Sequence, residues 1–247
     1  MIVLGVDTAT SLVSVAIVDG AKVLASSDSL AERRHAEDLT PMLDFVVRRA
    51  GVEFADIDAI AVDVGPGQFT GMRVGIAAAQ ALAHVLAVPL VGVDGLDALV
   101  AAVPPSVGAS HEIVVPTIDA RRGEVAWAIH RRRENERDVR VDPPTIGTME
   151  DLLVAIRERA QSCLFIGGYA LDHQSEIRDA LGPRSWEISF GETNTAHPHA
   201  RHVALLAHER LLRHEHEATV ASHPPRASAL YLREADAEIN WPTRNRP

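Results

Sequence analysis

The chain is expected to fold as an α/β protein of two lobes, each built on a mixed sheet flanked by helices. Three observations predict this. Short, mostly apolar runs of strand length alternate with longer runs whose apolar residues recur at helical spacing. A strand that ends in an acid, followed by a polar turn and an antiparallel strand, occurs twice, at Asp7 and at Asp119. Between the two copies lies Pro104-Pro105-Ser106-Val107-Gly108, the best linker candidate in the chain. The expected division is residues 1–107 for the N-terminal lobe and 108–247 for a smaller C-terminal lobe, with a polar tail from about residue 235.

The elements follow in order. Ile2–Val6 is nearly all apolar, as expected of a strand covered on both faces. Leu12–Val18 is rich in β-branched residues, and Asp19-Gly20 turns it into a third strand, Lys22–Ser27. His35–Ala50 carries the stripe Leu39, Met42, Leu43, Val46, Val47 and Ala50, with Pro41 either at its start or inside it, and Gly51 as its stop. Ala59–Val64 is a strand. A helix from Thr70, its expected N-cap, to about Ala87 follows, apolar almost all round. One of its faces should pack on the sheet. The face of Met72, Ile76, Ala79 and Ala83 needs a cover, supplied by the monomer or by a partner subunit.

Pro89–Val93 and Leu96–Val103 read as strand and helix. Glu112–Ile118 and Glu124–His130 read as the second hairpin, and Arg131–Arg140 as a solvated loop. Thr148-Met149-Glu150-Asp151 opens a helix to Arg159 with a capping box. Cys163–Ile166 is a strand running into Gly167-Gly168, and Ala200–His214 is a helix.

Of 247 residues, 47% are hydrophobic and only 4% aromatic, so the core is aliphatic. A net charge of −10 lacks the basic footprint of an independent nucleic-acid binder. The single Cys163 excludes a disulfide framework and a CxxC zinc site, and reads as a core thiol. No apolar run is long enough to span a bilayer, and Met1-Ile2-Val3-Leu4-Gly5-Val6-Asp7 has no basic leader, so a cytoplasmic protein is the expectation.

The most specific stretch is Val64-Gly65-Pro66-Gly67-Gln68-Phe69-Thr70-Gly71-Met72-Arg73-Val74-Gly75. Strand, glycine turn and helix can aim backbone N–H groups at an anion, or can simply make a tight βα connection. It lacks the Gly-Lys-Ser/Thr of a P-loop. GPGQFTGMRVG, with the opening Ile2-Val3-Leu4-Gly5-Val6-Asp7-Thr8-Ala9-Thr10, resembles the TsaB family, whose pattern is close to GPGSFTGLRIG. The chain departs from it at Gln68, Met72 and Val74. Asp119-Ala120-Arg121-Arg122-Gly123-Glu124-Val125 and Tyr231-Leu232-Arg233 also fit.

That resemblance implies a non-catalytic scaffold, or dimerisation, subunit required for tRNA threonylcarbamoyladenosine formation. Threonylcarbamoyl is transferred there to the adenosine next to the anticodon. The chain would act by binding a catalytic TsaD-like paralogue, with a TsaE-like ATPase subunit and tRNA joining the assembled pair, or would form a homodimer when alone. No cofactor is expected on the chain itself; ATP and a metal ion are expected on partner subunits. The two helices beside the glycine stretch would make the contact, through Leu39, Met42, Leu43, Val46, Met72 and Ile76.

The paired strand–acid–turn–strand units also resemble the actin-like (ASKHA, ribonuclease-H-like) superfamily. By that likeness Asp7, Thr8, Gly65, Gly67, Thr70, Gly167 and Gly168 would line a nucleotide cleft. Against turnover, the first turn has no glycine and the second, Asp119 to Gly123, carries two arginines. The alternative function is a stand-alone ATP-dependent transferase or kinase of that superfamily. A TsaD-like catalytic paralogue holds metal through a His-x-x-x-His pair in its first lobe; residues 1–107 contain only His35 and His84. His197, His199, His202, His208, His214 and His216 have no i, i+4 pair, so no metal site is assigned. No Gly-x-Ser-x-Gly elbow supports a hydrolase, and no catalytic residue is assigned.

Overall fold

The computed structural model describes residues 1–30, 34–104, 106, 111–133, 138–159, 162–182, 187–214 and 227–230. It shows two five-stranded mixed sheets with helices packed on both faces. The first sheet takes β1 (Ile2–Asp7), β2 (Leu12–Asp19), β3 (Lys22–Leu30), β4 (Ala59–Asp63) and β5 (Leu90–Val93), in the order β3-β2-β1-β4-β5. The second takes β6 (Ile113–Asp119), β7 (Val125–Arg131), β8 (Val139–Gly147), β9 (Ser162–Ile166) and β10 (Glu187–Phe190), in the order β10-β9-β6-β7-β8. Reversed, the second order is the first: a meander of three strands, then two parallel strands added beyond the meander's first. The echo between Asp7 and Asp119 is thus an echo of topology.

Helices α1 (His35–Ala50) and α2 (Phe69–Leu86) cover one face of the first sheet, over Leu4, Val6, Val15, Ile60 and Val62. Helix α1 starts at His35 with Pro41 inside it on the exposed face, and ends at Gly51 in the left-handed conformation, φ 71°. Helix α2 starts one residue ahead of Thr70. Gln68 is its N-cap and makes no side-chain cap, so Thr70 does not play the capping role expected of it.

The second sheet is covered by α4 (Met149–Arg157), α5 (Gly168–Asp172) and α6 (Gln174–Leu181), over Val115, Trp127 and Phe165. Thr148 and Asp151 form the expected capping box. Two elements join the lobes. Helix α3 (Gly95–Ala101) lies on the free face of the second sheet, over Val114, Ala128 and Leu164. Helix α7 (Ala200–His214) crosses back to the free face of the first sheet, against Val3, Val18, Ala59 and Ala61. Where the division at residue 107 puts Ala200–His214 with the second lobe, the helix instead completes the first. Gly5 makes this approach possible, because a side chain there would overlap the Ala200 carbonyl.

Several readings need correction. Arg131–Arg140 is not a loop throughout: it closes β7 and opens β8, an edge strand that accommodates Pro143 and Pro144. Helices α5 and α6 and strand β10 lie where no element was expected. Most of Pro104–Gly108, His216, Tyr231-Leu232-Arg233 and the tail from 235 fall outside the described residues. Cys163 is buried in the second core, and burial pushes its thiol up to about 12. Among the described residues no helix is long and apolar enough to cross a membrane.

Candidate functional site

The strand ends set out the site. Strands β1 and β4 are parallel with Val6 beside Val62, which places Asp7 beside Asp63. Both acids are buried at 0% and 1% exposure, so water screens neither. Each caps the turn that follows it: Asp7 Oδ1 accepts from the Ala9 N–H at 2.9 Å, and Asp63 Oδ1 from the Gly65 N–H at 2.7 Å. Burial pushes the Asp7 carboxyl up to about 7, against the pull of its hydrogen bonds to Ala9 and Asp63. Burial and then the Asp7 charge push Asp63 well above the ordinary carboxylate range. The pair therefore holds a proton near neutrality.

The glycine stretch sits against the turn after Asp7. Gly67, Gly71 and Gly75 are spaced by four and lie on one side of α2 and its entry. Side chains at these positions would overlap the Ala9 carbonyl, the Thr8 carbonyl and the Thr8 hydroxyl respectively. The Gln68 N–H donates to Ala9 O at 2.6 Å, and Thr8 Oγ donates to Gly71 O at 2.7 Å. These glycines thus bring a helix into backbone contact with the β1–β2 turn. Gly65, at φ 101° and ahead of a cis peptide bond to Pro66, abuts Met72 and Leu230.

The seven residues proposed to line a nucleotide cleft are not brought together. Gly67 and Gly168 do line one, a cleft of about 510 Å³ between the lobes. Asp7 and Thr8 are buried beneath it, Gly65 faces Met72, and Thr70 is exposed at the start of α2. Gly167, at φ 94°, is pressed on the Thr117 carbonyl. The remaining walls are Ala9, Thr10, Ser11 and Gln68 on one side and Ile118, Asp119, Arg121, Tyr169, Asp172, Ala196 and His197 on the other. The cleft runs on into a hollow beside Glu192, Thr193 and Asn194.

In the second turn Asp119 accepts from the Arg121 N–H at 2.7 Å and pairs with the Arg121 guanidinium at 3.4 Å. Burial lowers the His197 pKa, favouring its neutral form. His199 instead lies 3.2 Å from Asp28, whose Oδ1 accepts from Ser14. Among the described residues no set of three or more His, Cys, Asp or Glu is placed to hold a metal ion. Sequence reasoning missed Tyr169, Asp172 and His197 as cleft residues. Only their nearness to Gly167-Gly168 and to the start of α7 could have pointed to them.

The proposed contact residues need correction. Leu39, Met42, Leu43, Val46, Met72 and Ile76 are all buried in the first lobe's core, at 8% exposure or less. The face of α2 carrying Met72, Ile76, Ala79 and Ala83 is the one on the sheet. The face left open carries Phe69, Arg73, Ala77, Ala81 and Val85; on α1, Pro41 and Phe45 are exposed as well. Phe69 and Phe45 are half exposed, each with a guanidinium over its ring, Arg73 at 3.7 Å and Arg49 at 5.7 Å.

A family model described as TsaD, tRNA N6-adenosine threonylcarbamoyltransferase, matches residues 23–167. The chain is 39% identical over 135 residues to the tRNA threonylcarbamoyladenosine biosynthesis protein TsaB of Escherichia coli, an alignment covering 55% of the chain and 57% of that protein. It is 27% identical to the Bacillus subtilis protein of the same name, over 98% of both. Among solved structures it is similar to a Pseudomonas aeruginosa protein described as uncharacterised, with similarity to peptidase YeaZ. There the TM-score is 0.72 at 27% identity, covering 94% of this chain and 99% of that one. The chain thus spans little more than half the length of several curated relatives it matches.

Proposed function

Because the chain belongs to the tRNA N6-adenosine threonylcarbamoyltransferase family, and within it to TsaB, we propose that it is a non-catalytic pairing subunit in tRNA threonylcarbamoyladenosine formation. Its partner is a TsaD-like catalytic paralogue, on which threonylcarbamoyl transfer to the adenosine takes place. A TsaE-like ATPase and tRNA join the pair, and a homodimer forms when the paralogue is absent. ATP and a metal ion belong to the partner subunits.

The observation that carries this reading is the use made of the glycine stretch. Its glycines are spent on seating α2 against Thr8 and Ala9, so their close approach is to this chain's own backbone rather than to a phosphate. The acid that would orient a metal is sealed below them. The same seating turns a small-residue face of α2 outward, with Phe69 at one end and Val85 at the other. Half-exposed Phe69 and Phe45, with Arg73 and Arg49 over their rings, are the aromatic and Arg anchors that pairing faces favour.

Size-exclusion chromatography with light scattering, on the chain mixed with its host's catalytic paralogue, tests the proposal. A stable heterodimer on which tRNA modification depends is expected. Separate elution, with modification running unaided, would overturn it. The interlobe cleft keeps a second reading in view, an ATP-dependent transferase acting alone. Saturable ATP·Mg²⁺ binding by calorimetry, with turnover by the isolated chain, would favour that reading.

A further inference from the structure

Helix α3 is wedged between the lobes. Leu96, Leu99 and Val100 pack on the second sheet, while Ala98 packs with Val203 and Ala207 of α7 under the first. Between these two apolar contacts the Asp97 carboxylate gathers donors from three other elements. His130 Nε2 on β7 lies 3.0 Å from Oδ1, and Arg140 Nη2 on β8 lies 2.6 Å from the same oxygen. Arg210 Nη2 on α7 lies 3.2 Å from Oδ2. Arg140 also reaches Asp94 at 2.9 Å, and Arg210 donates to the Gly92 carbonyl at 2.9 Å. Burial alone would raise the Asp97 pKa, but the His130 hydrogen bond and the Arg140 charge hold it below the ordinary range. The acid is ionised and its bonds are charge-assisted, the stronger kind.

We propose that Asp97 is an interlobe lock, holding the two lobes at one angle so that the cleft does not open and close as a hinge would. Two of its donors, His130 and Arg140, stand on the second sheet; the third, Arg210, stands on the helix that completes the first lobe. Swinging the lobes apart would strip Asp97 of partners on one side and leave a partly buried charge exposed to loss of its bonds. It would also shear α3 from one of its two apolar seats. The inference goes beyond the pairing role: it concerns how the lobes stand, whatever binds them.

The test is a distance distribution between spin labels on exposed positions of the two lobes, Thr40→Cys on α1 and Glu150→Cys on α4; buried Cys163 does not compete for label. Full-length protein with the native lock is expected to give one narrow distribution. Asp94→Asn with Asp97→Asn removes both anionic partners of Arg140, and Asn at 94 still accepts from the Leu96 N–H as the cap of α3. That pair of changes is expected to broaden the distribution at least twofold. Should it prevent folding, Arg140→Gln on edge strand β8 removes the same bridge and is expected to broaden it too. A native distribution that is already broad, or a folded variant as narrow as the native protein, would overturn the lock.

Discussion

Asp7 and Asp63 stand side by side at the ends of two parallel strands, both out of water, and burial raises the pKa of each carboxyl. The Asp7 pKa is raised from 3.8 to about 7, so its contribution to stability is complete below 3.8 and is lost as pH rises through 7. Asp7→Asn keeps the acceptor for the Ala9 N–H, cannot ionise, and can donate to Asp63. Thermal melts should show the variant gaining on the native chain between pH 5 and pH 8, by several degrees at the upper end. A gap independent of pH would mean that the pair does not titrate in this window.

Seating α2 on Thr8 predicts a specific coupling. In Gly75→Ala the new methyl meets the Thr8 hydroxyl, whereas in Gly71→Ala it meets the Thr8 backbone carbonyl. Each should cost about 1–3 kcal/mol in urea unfolding, the usual range for overpacking. Thr8→Ala should recover part of the Gly75→Ala loss and none of the Gly71→Ala loss. Equal recovery of both would contradict the arrangement.

The open face of the helix pair separates association from folding. Phe69→Asp with Ala81→Asp should leave the melting temperature within a few degrees and abolish pairing in chromatography. Leu43→Asp buries an unpartnered charge at 7% exposure and should unfold the chain. Pairing that survives the first pair of changes would exclude this face.

Residues 227–230 make a strap. The Leu230 N–H donates to Val64 O at 2.7 Å, Gln80 donates to Ala227 O at 3.0 Å, and Ala227 and Ala229 pack on the first core. A chain ending at 230 should therefore keep native amide-exchange protection in Val64–Met72, and a chain ending at 226 should lose at least tenfold. Equal protection in the two would show that the strap bears no part in holding the glycine turn.

The two-lobed plan was legible because strand, acid, turn and strand recur with little ambiguity in period. Strand β8 was hidden by its own chemistry: arginines, an aspartate and two prolines suit an edge and read as loop. The faces of α2 were exchanged for a different reason. A helix apolar all round carries no phase, and nothing in the sequence says that Met72 and Ile76 go inward while Ala77 and Ala81 stay out. The glycines were equally silent, since approach to a phosphate and approach to the Thr8 backbone ask for the same residue. The destination of α7 depends on long-range packing that no local pattern encodes.

That destination bears on how the chain is made. The underside of the first sheet, with Val3, Val18, Ala59 and Ala61, has its cover in a helix that begins only at Ala200. At about 5–20 residues per second, a ribosome leaves this apolar surface waiting on the order of ten seconds after β4 has emerged. Throughout synthesis of the whole second lobe, then, the nascent first lobe is a half-closed sandwich and a natural client for a chaperone.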